Sequence, residues 1–409
     1  MKNIAIKTAL YINYFVFAIL LNSVGIVIKQ SIENYGVTEI QASTLEALKD
    51  LPIAFVSFFV ASFLPKIGYK KSMLFALFLV FTACIYMYCG NSFFSAKILF
   101  IIIGIAFAFI KVSVYSMIGL LVKTKEEHSS FMSSIEGFFM LGIALTYFIF
   151  PWFFNQDNSN AWLRVYLFLA LLIAVSFSIL FFAKIKVKVE ISKKPVSQDF
   201  TAMIKLMLLP LVIVFVLSTF LFVMVEQGIM TWLPTFNKNV LVLNDVLSVQ
   251  MASILAISLA VGRVLAGFLV KKINWFKLLS ICLTLSMLIV ALVLPKIIVK
   301  QAIQVNSLVS IPWYGFVFPL IGLFISPVYP LINSAVLSVL PKKMHSSMVG
   351  LIIIFSALGG TLGSRIIGYL FEHIGGAKAF YFMLIPIAGL IVLLFTLNKN
   401  IKKYEVLYL

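Results

Sequence analysis

The sequence predicts an all-α membrane protein of twelve transmembrane helices in two six-helix halves. Three observations carry this expectation. The 409 residues are 62% hydrophobic and only 11% charged, whereas soluble domains carry roughly 25% charged residues. Such a chain lacks the polar surface to face water. Its apolar runs, as at 98–110 and 165–183, are long and continuous. A bilayer core ~30 Å thick takes ~20 apolar residues per helix, while a transmembrane barrel reads as short alternating strands. Dividing the chain into helix-plus-loop units of about 33 residues gives about twelve spans.

Taken in order, the spans fall near 8–28, 45–64, 73–91, 97–122, 130–154, 162–184, 205–236, 246–270, 277–298, 308–340, 346–371 and 378–397. Lys2 and Lys7 precede the first apolar stretch in the manner of a signal peptide. That stretch is too long, with no clear small-residue cleavage site, so it reads as the first span. The loops then test the topology. One set holds most of the lysines, among them Lys66, Lys70, Lys71, Lys123, Lys186, Lys272 and Lys343. The opposite set, with Lys29, Lys97, Arg164, Lys238 and Lys378, holds far fewer. By the positive-inside rule both termini are cytoplasmic and the protein is multi-pass in the inner (plasma) membrane. The formal charge of +18, from 32 Lys+Arg against 14 Asp+Glu, is accounted for in the same way, and no nucleic-acid partner is expected. Cys84, Cys89 and Cys282 lie in apolar runs and have no metal-ligand spacing.

The longest polar stretch, 184–199, falls near the middle of the chain and reads as a linker. It divides a first six-helix bundle at 1–184 from a second at 205–409, with the cytoplasmic linker at 185–204. An internal repeat supports two parallel halves. The basic end of the second span, from Phe63, recurs at the end of the eighth, from Phe268, at an offset of 205 residues,.

The loop between spans two and three carries Ala61, Pro65, Lys66, Gly68, Tyr69 and Lys70 where the pattern G-x-x-x-D-R-x-G-R-K stands in the major facilitator superfamily. Span eight ends in Gly262, Arg263 and Gly267, as G-R-x-x-x-G. Glu226 and Trp232 form an E-x5-W pattern in span seven. Gly322, Ser326, Tyr329 and Pro330 mark span ten. On these residues the chain resembles the major facilitator superfamily, and within it the fucose:proton symporter and TsgA-like branch. The resemblance implies the major facilitator fold over the whole chain. Lys66, Gly68, Lys70, Gly262 and Arg263 then take gating and loop roles. The sequence also departs from that branch. Where the symporters carry an acid in an N-D pair of span one, this chain has Asn22 and Ser23. Where they carry an acid in span four, it has Lys111. A lysine there argues against inherited recognition of fucose or hexoses.

Charges inside a membrane cost ~2.5–3.5 kcal/mol each on translocon scales, so intramembrane charges are candidate substrate- or ion-binding residues. Lys111 lies in mid-span with no loop to reach, and reads either as half of a structural ion pair or as a cavity cation for an anionic solute. Glu226, followed by Gln227, lies in span seven, which ends at Trp232 and Pro234, where proline is expected to break the helix. A carboxylate there can bind substrate or carry a proton, its protonation set by burial and by neighbouring cations; a structural salt bridge is the alternative. Glu136 in span five is a coupling acid or the partner of a loop lysine. Lys49 and Asp50 are adjacent, so they are expected to face different ways. Asp50, followed by Pro52, is the better candidate, against a solvated helix end. Arg263 reads as a gate or interface contact. Arg365 in span eleven holds a carboxylate or phosphate, pairs with Glu226, or snorkels outward. Span ten is broken by Pro312, Pro319, Pro327 and Pro330 and brings Tyr329 and Asn333 to a cavity. Gly359, Gly360 and Gly363 read as close helix contacts. The 40 phenylalanines read mostly as lipid-facing filler.

No catalytic constellation, metal cluster, cofactor motif or P-loop is present in the sequence, so an enzyme or an ATP-driven pump is not expected. The expected partners are a small-molecule solute, a coupling ion (a proton), and the lipid bilayer, with the protein a monomer. The reading is a secondary active transporter working by alternating access, its substrate a sugar or a small organic anion. An exporter of amphipathic compounds or of chelating metabolites such as siderophores is the alternative; a passive channel and a membrane enzyme or receptor are further ones.

Overall fold

A computed structural model describes residues 4–121, 125–155, 157–183, 205–270, 272–299, 310–340 and 344–408. Every long element is a helix. They are α1 (Ile4–Asn22), α2 (Val24–Tyr35), α3 (Glu39–Ala42), α4 (Thr44–Ile67), α5 (Tyr69–Gly90), α6 (Phe93–Leu121), α7 (Lys125–Ile149) and α8 (Arg164–Phe182) in the first part of the chain. The second part holds α9 (Pro210–Asn239), α10 (Asp245–Leu269), α11 (Trp275–Val299), α12 (Val317–Ile325), α13 (Val328–Val339), α14 (His345–Ile374), α15 (Gly376–Ala379) and α16 (Leu384–Tyr408). Counting α1 with α2, and α12 with α13, as one span each gives the twelve-helix fold expected from the sequence. Ten of these segments are long and apolar enough to cross a bilayer. The others are α7, whose apolar stretch is Gly137–Phe153, and α4, which places Glu46, Lys49 and Asp50 in its first two turns.

The chain divides into two compact units. One is Met1–Val37 with Leu48–Val196; the other is Thr38–Ala47 with Ser197–Leu409. The same packing scheme is built in each. In the first, α1 packs on α7 and α8, and α5 on α6 and α8. In the second, α9 packs on α14 and α16, and α11 on α12 and α16. Small residues permit the closest crossings. A Cβ on Gly142 would meet Ala18 Cβ at 2.7 Å and Phe15 O at 2.8 Å, at the α7–α1 crossing. A Cβ on Gly359 or Gly363 would strike the backbone oxygens of Phe220 and Met224, at the α14–α9 crossing. Without a hydrophobic drive between helices in lipid, such close backbone approach is what holds them. The outward faces carry the exposed phenylalanines, such as Phe55, Phe78, Phe182 and Phe395, as lipid contact requires.

Several element-level expectations need correction. The first span does not end near residue 28. After a turn at Ser23 it continues to Tyr35, where Gly36 takes a left-handed conformation (φ 62°). Lys29, expected in an outer loop, is therefore inside α2, buried and paired with Glu33 at 2.8 Å. That i,i+4 partner keeps a buried cation tolerable. Pro234 does not break its helix, since α9 runs through it to Asn239. Span ten does break, between Ile325 and Val328, at Ser326 and Pro327. The last helix runs on to Tyr408, well beyond 397.

Candidate substrate and ion site

In the second unit α9 and α10 pack together and bring Glu226 to Arg263. The guanidinium donates to Glu226 Oε1 at 2.8 Å, with side-chain exposures of 12% for the acid and 31% for the arginine. Two charges in an apolar bundle are tolerated because each answers the other. The salt bridge offered as the alternative reading of Glu226 is thus present, with Arg263 as its partner. The pairing offered with Arg365 is not, since that guanidinium donates to Ile40 and Ser43.

Around the pair stand polar groups from the broken span ten. Tyr329, on α13, packs its ring against Phe222 of α9 at 5.7 Å, one helical turn before Glu226. Its hydroxyl is close to Asn333 and to Ser356 of α14, within the field of Glu226 and Arg263. Ser326, at the break, approaches Gly262, the residue before Arg263, so closely that a Cβ there would collide with its hydroxyl. Asn333 and Ser356 offer their side chains to the Tyr329 hydroxyl, while Ser326 Oγ is buried without a hydrogen-bond partner among the described residues. Buried polar atoms are nearly always satisfied. Polar groups gathered near an ion pair make a place where a polar ligand or water can bind. The proline break frees backbone in the same region, as is tolerated where helices flank a cavity. Ser326 was named in the sequence only as a mark of span ten, and Ser356 was not singled out; a serine at a proline break was the available signal for the first.

The other candidates fall in different surroundings. Trp232 is fully buried and donates from Nε1 to Ser364 O at 2.9 Å, which makes it a peg between α9 and α14. Gln227 is half-buried on α9. Arg365 is exposed, and its guanidinium donates to Ile40 O and, at 3.3 Å, to Ser43 Oγ. The same segment, Thr38–Ala47, is held to the second unit by Ile40 N on Glu372 at 3.1 Å and by Thr231 on the buried Glu46 at 2.8 Å.

In the first unit, Asn22 turns its Nδ2 onto Ala18 O of its own helix. Lys49 and Asp50, expected to face different ways, meet at 3.4 Å. The Lys49 ammonium also lies 3.5 Å from Leu21 O of α1; the reach of a long side chain is something the facing rule for Cβ directions does not include. Lys111 is half-buried on α6 with its ammonium 5.9 Å from the Phe107 ring centroid. Glu136 lies on α7, with its side chain outside the described residues, as is that of Lys66. Of the loop motif, Gly68 has φ 95°, a conformation open to glycine and strained for other residues. Lys70 donates to Phe181 O at 2.8 Å and Ala183 O at 2.7 Å, closing the C-terminal end of α8 with a cation.

This architecture has known counterparts. The family model described as Major Facilitator Superfamily matches residues 10–364. No curated protein matches the chain. Among solved structures, a bacterial homolog of the human lysosomal transporter Spinster, inward-facing and unoccupied, is similar with TM-score 0.78, 12% identity and 97% of each chain covered. The nucleoside transporter NupG has TM-score 0.71 and 14% identity, over 96% of this chain and 99% of its own. The E. coli fucose:proton symporter FucP has TM-score 0.61 and 13% identity, over 97% and 99%. At these identities the likeness is one of fold. With the family model spanning most of the sequence and the twelve-helix fold in place, the chain belongs to the Major Facilitator Superfamily of membrane transporters.

Proposed function

We propose that this protein is a secondary active transporter that moves a small solute across the inner membrane by alternating access, with a proton as coupling ion. Both termini are cytoplasmic, the halves are 1–184 and 205–409 joined by a linker at 185–204, and the protein works as a monomer. Its substrate is a sugar or a small organic anion. The observation that carries this reading is the part-buried Glu226–Arg263 pair, with Tyr329, Asn333 and Ser356 near it and the Ser326 hydroxyl at the span-ten break. An acid whose charge depends on one cation changes protonation when a solute takes that cation away, and this links solute to proton. The symporter and nucleoside transporter among its structural relatives support solute movement of this kind.

The test is uptake of labelled sugars and organic anions into proteoliposomes under an imposed pH gradient, with Lys111→Glu in parallel. Accumulation of one class above its equilibrium level supports the proposal. A sugar retained by Lys111→Glu marks a symporter of the sugar branch. An anion lost with it marks an anion carrier. Solute movement that never exceeds equilibrium under any gradient defeats it.

A further inference from the structure

Two packed helices of the second unit end in a shared basic margin. Phe276, in the first turn of α11, meets Phe395 of α16 with ring centroids 5.1 Å apart and planes at 80°. Beyond Phe395, α16 runs on to Tyr408, about three and a half turns further. On α11, Ile281, Leu285 and Leu292 are exposed and recur at helical spacing, which marks the face turned to lipid. Lys277 is exposed too and stands one turn before Ile281 on the same stripe,. On α16, Leu394, Leu397 and Ile401 are buried, while Val392 and Phe395 are exposed. Lys399, Lys402 and Lys403 are exposed, and their spacing puts them on the side of Val392 and Phe395, away from the buried residues. Lys272 is exposed just before α11, and Trp275 is half-buried at its start. None of these five lysines forms an ion pair among the described residues. Glu405 is the one acidic residue within 271–283 and 392–408.

From this margin we infer a binding site for an anionic phospholipid, its phosphate among the lysines of α11 and α16 and its chains along Phe276, Phe395 and the apolar stripes. The inference goes beyond the transport reading and does not depend on it. The positive-inside rule accounts for lysines in loops. It does not require them in line with the lipid-facing stripes of two packed helices. A lysine on such a stripe has lipid as its lateral neighbour, and a charge at the depth of the chains is costly. Its ammonium therefore lies at headgroup level, with its stem along the apolar face. Trp275 belongs to that level, where amphipathic rings collect. Lysine clusters next to a membrane helix attract anionic headgroups. Ammonium groups gathered without acids repel one another, and an anion between them relieves that. A zwitterionic headgroup brings its own cation and relieves it less. A free phosphate has the charge but no chains to cover the exposed rings and stripes. The basic loop of the first unit is used differently, since Lys70 there donates to the carbonyls that end α8.

The experiment is native mass spectrometry of the purified full-length protein in detergent, titrated with phosphatidylglycerol or with phosphatidylcholine of the same acyl chains. Each lysine near a charged lipid is worth about fivefold in affinity. Saturable retention of phosphatidylglycerol is expected, roughly tenfold or more above that of phosphatidylcholine. Lys277→Gln with Lys402→Gln takes one lysine from each helix and should cut that preference about fivefold or more. Lys277→Arg with Lys402→Arg should keep it. Lys71→Gln with Lys378→Gln removes the same charge from exposed positions elsewhere and should also keep it. Glycerol phosphate, the headgroup without chains, should not displace the lipid at equal concentration. Thermal unfolding confirms that each variant is folded. The inference is overturned if the wild type holds both lipids equally, or if the two glutamine pairs lower the preference alike, since net charge alone would then explain it. Displacement by glycerol phosphate as effective as by lipid also overturns it, because the site would then bind free phosphate. Solute transport is read separately in proteoliposomes, so its loss or presence leaves these outcomes unchanged.

Discussion

Replacing Arg263 by methionine keeps most of the side chain's stem and removes its charge, so it isolates what the ion pair contributes. The pair is 2.8 Å long, with Glu226 12% and Arg263 31% exposed. Removing one partner of a fully buried pair costs ~3–5 kcal/mol, because the other charge is left stranded. Solvent reaches part of this pair through the arginine, which places the expected cost of Arg263→Met at about 2–3 kcal/mol. Glu226→Gln strands the more exposed member and should cost less, about 1–2 kcal/mol. The double variant strands neither charge. It should recover most of the loss, with a coupling of at least about 1 kcal/mol between two residues in direct contact. Thermal unfolding of the detergent-solubilised protein reads this out. A change of 1 kcal/mol moves Tm by ~2–4 °C in domains of 150–250 residues and by less in longer chains. A fall of about 3–6 °C for Arg263→Met, and a double variant within about 2 °C of wild type, is the expected pattern. Strictly additive losses in the double variant would refute the reasoning, because they would mean that the two charges do not hold one another in place.

Two further outcomes follow from the packing. Gly363→Val forces a side chain onto the Met224 backbone oxygen; overpacking of this kind costs ~1–3 kcal/mol, and in a membrane bundle it should appear as a lowered Tm with separation of α14 from α9, read as new cross-linking of engineered cysteines to a bulky maleimide. Lys70→Met removes both hydrogen bonds to the end of α8 and should cost about 1–2 kcal/mol; hydrogen exchange at residues 179–183 should rise, while Lys71→Met, its neighbour, leaves that segment unchanged.

Much of the fold was legible because hydropathy reports membrane crossing directly. The twelve spans were found where long apolar runs sit between basic loops, and the repeat from Phe63 to Phe268 pointed to two halves. What was missed depends on tertiary partners. Lys29 read as a loop residue because a lone lysine looks like an edge; Glu33, one turn on, helps to make its burial tolerable. Pro234 read as a helix end, yet packing of α9 carries it through. In the site, Glu226, Tyr329 and Asn333 were legible as polar residues in an apolar setting. The partner of Glu226 was not, because the sequence offered Arg365 for it, and only the crossing of α9 with α10 brings Arg263 to the acid.

The most direct test of coupled transport is the internal pH of proteoliposomes loaded with a pH-sensitive dye, followed as solute is added outside with no other driving force. The account predicts that a transported solute acidifies the lumen, and that Glu226→Gln abolishes the acidification while solute exchange at equilibrium continues. Solute entry with no proton movement in the wild type, or acidification undiminished in Glu226→Gln, would contradict it.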